Sequence, residues 1–232
     1  MKQYFDEIGI NVTPHQLEQL ELFYNLLIQE NEKYNLTAIT DKTEVYIKHF
    51  IDSMIISKLD LPYEHKRFID IGTGAGFPAI PLKVMYPSIE ITGLDALNKR
   101  IGFIERACRE INIDAMHLIH GRAEDFGQDS KYREKYDYAV SRAVAELRLL
   151  LEFVMPFVKV GGHFLAYKSL KTKTELDDAN RSLLLMQSKL VDMVTFDLPG
   201  NFGKREIMII EKIGKIDKKY PRKPGVPKKS PL

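Results

Sequence analysis

The chain has 232 residues, 44% of them hydrophobic and 28% charged, with a net charge of +2; this is the balance of a soluble globular protein long enough to bury a sizeable core. Its single cysteine, Cys108, excludes an internal disulfide framework, and no apolar run or N-terminal pattern suggests a membrane span or secretory leader, so a cytoplasmic protein is expected. The small net charge hides an asymmetry: residues 215–232 carry seven Lys or Arg against one acid, Asp217, a net +6 that leaves −4 on residues 1–214. A polyanion would be met locally, by the tail and by patches.

Residues 1–62 read as a helical cap. Thr13-Pro14 is a capping residue followed by proline at the first helical position, and Leu17, Leu20, Phe23, Tyr24, Leu27 and Ile28 recur at helical spacing. The polar stretch 31–37 interrupts it, and a second helix is expected from near Thr43 with Val45, Tyr46, His49, Phe50 and Met54 largely on one side. Such a cap packs on the main domain; a sharper reading has Asn35, His49 and Asp52 helping to close a crevice there.

Residues 63–214 alternate strand and helix, the signature of a parallel sheet. The centre is Phe68-Ile69-Asp70-Ile71-Gly72-Thr73-Gly74-Ala75-Gly76-Phe77-Pro78: a buried strand, three alternating glycines, then an apolar helix pattern from about Phe77 to Met85. Glycines in that position open backbone angles closed to other residues and let a ligand press on the main chain. A second strand, Glu90–Leu94, ends at Asp95, an acid placed to accept both hydroxyls of a ribose. The stretch lacks the Gly-Lys-Ser/Thr of a triphosphate loop, so a nucleoside without phosphates such as S-adenosylmethionine fits; the spacing Gly74, Gly76, Ala79 also keeps a dinucleotide fingerprint open.

Further elements are expected at about 96–111 (helix, with Leu97, Ile101, Ile104, Cys108 and Ile111 inward), 115–120 (strand), 136–140 (strand ending at Ser141-Arg142-Ala143) and 144–155 (helix). Gly161-Gly162 should then turn into a strand at 163–167 ending at Lys168. A polar helix follows to about 189, then two strands near 191–197 and 206–212 that can pair antiparallel. Seven strands so arranged match the Rossmann-like sheet of the S-adenosylmethionine-dependent methyltransferases. Spaced prolines in residues 215–232 suggest an extended, solvated tail with no helix.

In such a sheet the ligand lies beyond the carboxyl ends of the central strands, where the chain offers Gly72 to Phe77, Asp95, Ala123-Glu124, Ser141-Arg142 and Lys168. Phe77 can cover one face of a nucleoside, and Ala123 and Glu124 can read an adenine edge. Position 141–143 has neither the Asn-Pro-Pro-aromatic motif of amine methylation nor a cysteine nucleophile. That favours an acceptor with a free in-plane lone pair, of which guanine N7 is the plainest, needing positioning and desolvation rather than proton removal. Lys168 remains available as a base, which leaves oxygen acceptors open. Arg142 presents a fork suited to carboxylate, phosphate or the O6/N7 edge of guanine, or simply to a neighbouring acid.

Several segments in order resemble one family: 31–37 (NEKYNLT), 49–53 (HFIDS), 70–81, 94–100 (LDALNKR), Arg122-Ala123-Glu124, Ser141-Arg142-Ala143 and 219–225 (KYPRKPG). Together they resemble RsmG (GidB), the bacterial methyltransferases of guanine N7 in 16S rRNA, and the likeness runs over nearly the whole chain. It implies an α/β fold, S-adenosylmethionine as cofactor, 16S rRNA or the small ribosomal subunit as partner, and cofactor contacts at Gly72, Phe77, Ala123, Glu124 and Arg142. Gly74, Gly76 and Asp95 join that set from the residues themselves. The resemblance brings no firmly assigned general base, leaving Arg142 and Lys168 as the catalytic candidates, and no metal is expected. A monomer is expected. A non-catalytic, S-adenosylmethionine-holding ribosome-assembly factor is the alternative from another class, and a nicotinamide-dependent oxidoreductase the third reading.

Overall fold

Helix α1 (Lys2–Glu7) leads to α2 (Pro14–Tyr34), which starts where a capping box demands it: the Thr13 hydroxyl accepts from the Gln16 N–H while the Gln16 side chain accepts from the Thr13 N–H. Asn35 ends α2 in the left-handed conformation with its N–H on the Asn31 carbonyl. It is therefore an exposed helix terminator rather than a crevice residue. The expected second helix is one helical run of mixed pitch: α3 (Lys42–Val45), a π-helical stretch (Tyr46–Ile51), α4 (Asp52–Met54) and a 3-10 turn (Ile55–Lys58). The structure, a computed structural model, describes residues 1–114, 116–168 and 172–232.

From Arg67 the chain alternates β1 (Arg67–Ile71), α5 (Ala79–Met85), β2 (Glu90–Asp95), α6 (Asn98–Glu110), β3 (Met116–His120), α7 (Ala123–Phe126), β4 (Tyr136–Arg142), α8 (Leu147–Val154), β5 (Val158–Lys168), α9 (Thr172–Leu185), β6 (Ser188–Asp197), β7 (Lys204–Lys212) and α10 (Val226–Lys229). Ala115, where the sequence starts the third strand, lies outside the described residues. The seven strands form one sheet in the order β3-β2-β1-β4-β5-β7-β6, with β7 antiparallel to both its neighbours. Order reverses between β1 and β4, and that switch point is where a crevice opens in such sheets.

Strand alternation sends side chains to two cores. Phe68, Tyr138, Val140, Leu165 and Ile207 pack with the N-terminal helices, α5 and α6, whereas Ile69, Ala139, Phe164, Ala166 and Met208 pack with α8 and α9. The cap thus shares its hydrophobic core with one face of the sheet. Phe23 of α2 stands 5.4 Å from Phe77 and 6.3 Å from Phe103, and Gln19 reaches the Ile111 carbonyl. Cys108 belongs to this core, its thiol pushed up to about 11 by burial.

Three expectations need correction. Gly161-Gly162 does not precede the fifth strand but lies inside it, where a Cβ on Gly162 would stand 2.6 Å from the Asp137 carbonyl oxygen and the β4–β5 register slips between Tyr136 and Tyr138; the close backbone approach, not a turn, requires the glycine. Leu97 does not point inward but is 45% exposed before α6. The C-terminal tail is neither extended nor free. Ile216 and Tyr220 are buried in the second core, and the Arg133 guanidinium collects the carbonyls of Tyr220 (2.7 Å) and Ile216 (3.1 Å). Arg222 closes on Glu152 at 2.6 Å, and the segment ends in α10. Charge and proline content conceal the two apolar anchors and the acid that dock it.

Candidate active site

Past β1 the loop folds over the end of β2: the N–H groups of Gly72 and Thr73 donate to the Leu94 carbonyl at 2.8 and 3.1 Å. Gly72, Gly74 and Gly76 all have positive φ (+76°, +61° and +87°). The space around them differs. A Cβ on Gly72 would meet Val144 Cγ2 at 2.6 Å and one on Gly76 would meet Ile80 Cδ1 at 2.6 Å, whereas at Gly74 nothing lies closer than 3.9 Å. Gly72 and Gly76 therefore let the loop sit tightly, and Gly74 leaves room beside it. The Asp95 carboxylate is held at the strand end by the Gly74 N–H (2.9 Å), the Leu97 N–H (2.9 Å) and Arg100 (3.3 Å). These groups face a cavity of about 540 Å³, whose wall also includes Phe77, Leu97, His49, Arg142 and Lys228, within the usual range for a small-molecule site. Leu97 is exposed because it lines this wall.

Asp70, one residue before the strand ends, is fully buried. Its Oδ2 accepts from the Ala79 N–H at 3.2 Å while Oδ1 has no hydrogen-bond partner among the described residues. Burial raises its pKa to about 7, against the lowering effects of the Thr73 side chain, the Ala79 N–H and the positive charge of Arg142. It braces the loop from below.

A second cavity, about 430 Å³, adjoins the first through His49, Arg142 and Ala143, which line both. Arg142, at the end of β4, donates to Asp52 Oδ2 (3.0 Å) and to the carbonyls of Lys48 (3.2 Å) and His49 (3.3 Å), and its guanidinium lies 5.1 Å from the Phe77 ring centre. Asp52 also pairs with Arg205 Nε at 3.2 Å. Tyr167 fixes the same helical run by donating to the Ser53 carbonyl at 2.6 Å. Stacked 4.7 Å from Phe77, His49 places Nδ1 on the Lys48 carbonyl and Nε2 on the Thr37 hydroxyl. Nδ1 also lies 3.4 Å from an Arg142 nitrogen, so both ring nitrogens are engaged whichever of them carries the proton. Burial, then the Arg142 charge, lower its pKa to about 4. His49 is a neutral ring with both nitrogens occupied, a poor general base.

Of the sequence-predicted residues, the first cavity brings together Gly72, Gly74, Phe77, Asp95 and Arg142. Gly76 packs behind the loop. Phe77 backs His49 and Arg142 within that wall. Ala123 and Glu124 are not in it: the Glu124 carboxylate accepts from the Gly225 N–H at 3.2 Å and faces a separate cavity with Lys219 and Pro221. Lys168 lies in the second cavity with its ammonium on Glu175 (2.6 Å) and the Ala145 carbonyl (3.1 Å). His49 and Asp52 do reach the crevice. Arg205 and Glu206 were missed, and Lys228 was read only as part of the basic tail; no local motif places them here, since β7 and the tail reach the site only through tertiary folding.

This sheet order with its strand-end crevice is the Rossmann-like fold of the S-adenosylmethionine-dependent methyltransferases. A solved structure of M. jannaschii TYW2 in complex with AdoMet superposes over 70% of this chain and 75% of that one, with a TM-score of 0.55 at 12% identity. Residues 16–208 match the family model described as rRNA small subunit methyltransferase G, and the chain belongs to that family. It is 46% identical, over its whole length and 99% of the relative, to the ribosomal RNA small subunit methyltransferase G of Brevibacillus brevis, and 42% identical over 97% of that of Alkaliphilus metalliredigens. Membership removes the nicotinamide reading.

Proposed function

We propose that the protein transfers a methyl group from S-adenosylmethionine to N7 of a guanine in 16S rRNA. The observation that carries this reading is the junction of the two cavities: a loop-and-carboxylate crevice suited to an uncharged ribose meets, across His49, Arg142 and Ala143, a second cavity whose basic side chains are already partnered. The first cavity fits the cofactor. Gly74 leaves it open, Asp95 presents a fixed carboxylate for ribose hydroxyls, and no phosphate-binding lysine follows the loop. When bound there, the cofactor supplies an electrophilic methyl on a sulfonium.

The chain's own residues then position and desolvate. Asp52 neutralises Arg142 beside a site that must accept a cation, and Phe77 and the two backbone carbonyls fix its guanidinium. His49 and Lys168 are both engaged, which suits an acceptor that loses no proton before attack, as guanine N7 does not. The lysines at 215, 218, 219, 223, 228 and 229 are exposed on a docked backbone, giving phosphate contacts at fixed positions, with Lys228 at the rim of the first cavity. No helix among the described residues is long and apolar enough to cross a membrane. A cytoplasmic monomer is the form we assign.

The test is methyl transfer from labelled S-adenosylmethionine to unmodified small subunits, stripped 16S rRNA and unrelated RNA, with the product mapped by cleavage at N7-methylguanine. One cleavable guanine in 16S rRNA is expected, and its loss in Asp95→Ala with the fold intact. Cofactor binding without transfer to any RNA would support the assembly-factor alternative instead.

A further inference from the structure

Glu206, at the start of β7, is 9% exposed, lines the second cavity, and has its Oε2 buried without a hydrogen-bond partner among the described residues. Leaving a buried carboxylate oxygen unmatched is unfavourable, and such groups ordinarily find a donor. Asp52 Oδ1 is a second buried carboxylate oxygen in the same wall with no hydrogen bond, though Arg205 stands 3.2 Å away as an ion pair. Among the described residues, Glu206 thus gives this wall a carboxylate with one buried oxygen that lacks a donor.

Among the four RNA bases only guanine carries two adjacent donors, N1–H and the N2 amino group, on its Watson–Crick edge, and a carboxylate matches that pair side by side. N7 lies on the opposite edge. Glu206 lines the second cavity alone, whereas His49, Arg142 and Ala143 line both cavities. A guanine held by Glu206 at its N1/N2 edge thus turns N7 toward the junction with the cofactor crevice. We propose that the 430 Å³ cavity receives the acceptor guanine, extruded from its strand, and that Glu206 selects it by accepting hydrogen bonds from N1–H and the N2 amine. This rests on the guanine-N7 reading above and names its specificity-determining residue. Extrusion of the base is the usual way an enzyme reaches a ring atom within a structured nucleic acid.

The experiment uses small subunits reconstituted from 16S rRNA that carries guanosine or inosine at the methylated position. Inosine keeps N7 and N1–H but lacks the N2 amine. With the wild-type enzyme, inosine is expected to lower kcat/KM by about 10- to 100-fold, the loss of one hydrogen bond to a charged acceptor. In Glu206→Ala, the guanosine substrate falls by at least a similar factor and the inosine penalty shrinks toward unity, while calorimetric S-adenosylmethionine affinity and the melting temperature show the variant folded. Equal kcat/KM on both substrates with the wild-type enzyme overturns the edge readout and leaves N7 methylation standing. An inosine penalty that persists undiminished in Glu206→Ala overturns the role of Glu206. No methylation of the guanosine subunits by the wild-type enzyme overturns the guanine-N7 reading and this inference with it.

Discussion

Replacing Asp52 with asparagine tests the electrostatics of the junction. The Asp52 side chain is 5% exposed and stands between Arg142, 13% exposed, and Arg205, 25% exposed. Asp52→Asn keeps the shape and removes the one negative charge that both guanidiniums face. Removing one partner of a buried pair destabilises a protein by about 3–5 kcal/mol. Because water reaches a quarter of Arg205, the lower end, about 3 kcal/mol, applies, which in a domain of this size lowers Tm by roughly 6–12 °C. The wall also gains one net positive charge. Over a separation of ~10 Å at an effective dielectric of ~20, that opposes a sulfonium by about 1.5 kcal/mol, roughly tenfold. S-adenosylhomocysteine has no sulfonium, so its affinity should fall less. Calorimetric titration of both ligands against wild type and variant, with thermal melting alongside, reads the two effects separately. A variant melting within 2 °C of wild type, with an unchanged affinity ratio between the ligands, would refute the reasoning.

Three further outcomes follow from the loop and the tail. Gly76→Ala must hold a Cβ at φ +87° and 2.6 Å from Ile80 Cδ1; left-handed strain and overpacking together should destabilise by about 2–5 kcal/mol, read in urea denaturation. Asp70 has a folded pKa of about 7, raised from 3.8, so its stabilising contribution is complete below about pH 4, falls as pH rises through 7, and is constant above. Asp70→Asn should therefore gain stability relative to wild type at pH 8 but not at pH 4, by at most about 4 kcal/mol, and parallel Tm–pH curves for the two proteins would count against a buried, pKa-raised carboxyl. Glu152→Ala leaves Arg222 without its carboxylate; trypsin should then cut between Lys218 and Lys223 at least several-fold faster than in wild type, and equal cleavage rates would mean that the other tail contacts suffice.

The parts of the site that sequence could show are those whose chemistry is local. Three alternating glycines after an apolar run, and an acid closing the next run, are short patterns with one structural meaning, and the strands follow from apolar runs between turn residues. Arg205 and Glu206 carry no such pattern. They reach Asp52 and the second cavity only because β7 runs antiparallel beside β5, pairing Glu206 with Lys168, a register that no local periodicity encodes. Asn35 misled because a polar residue near a motif resembles a site residue, whereas its left-handed backbone made it a helix stop. The contact of Glu124 with the Gly225 N–H could not be read locally, because the two lie 101 residues apart. The tail misled because composition weighs charge and proline over two anchoring side chains.

The π-helical stretch Tyr46–Ile51 sets a rule for how this protein can vary. A π-turn accommodates one residue more than the α-helix around it, and its looser ladder turns carbonyls outward; those of Lys48 and His49 are the ones that receive Arg142. Deleting one residue from this stretch would restore a regular α-helix with the phase of its flanks kept, and would remove the extra residue that turns these carbonyls outward. The carbonyls of Lys48 and His49 would then return to the helical ladder and Arg142 would lose both, although Asp52 beyond them kept its place. Single-residue deletions here should abolish activity where many point substitutions are tolerated, so the length of this segment, more than its composition, is what a functional descendant must preserve.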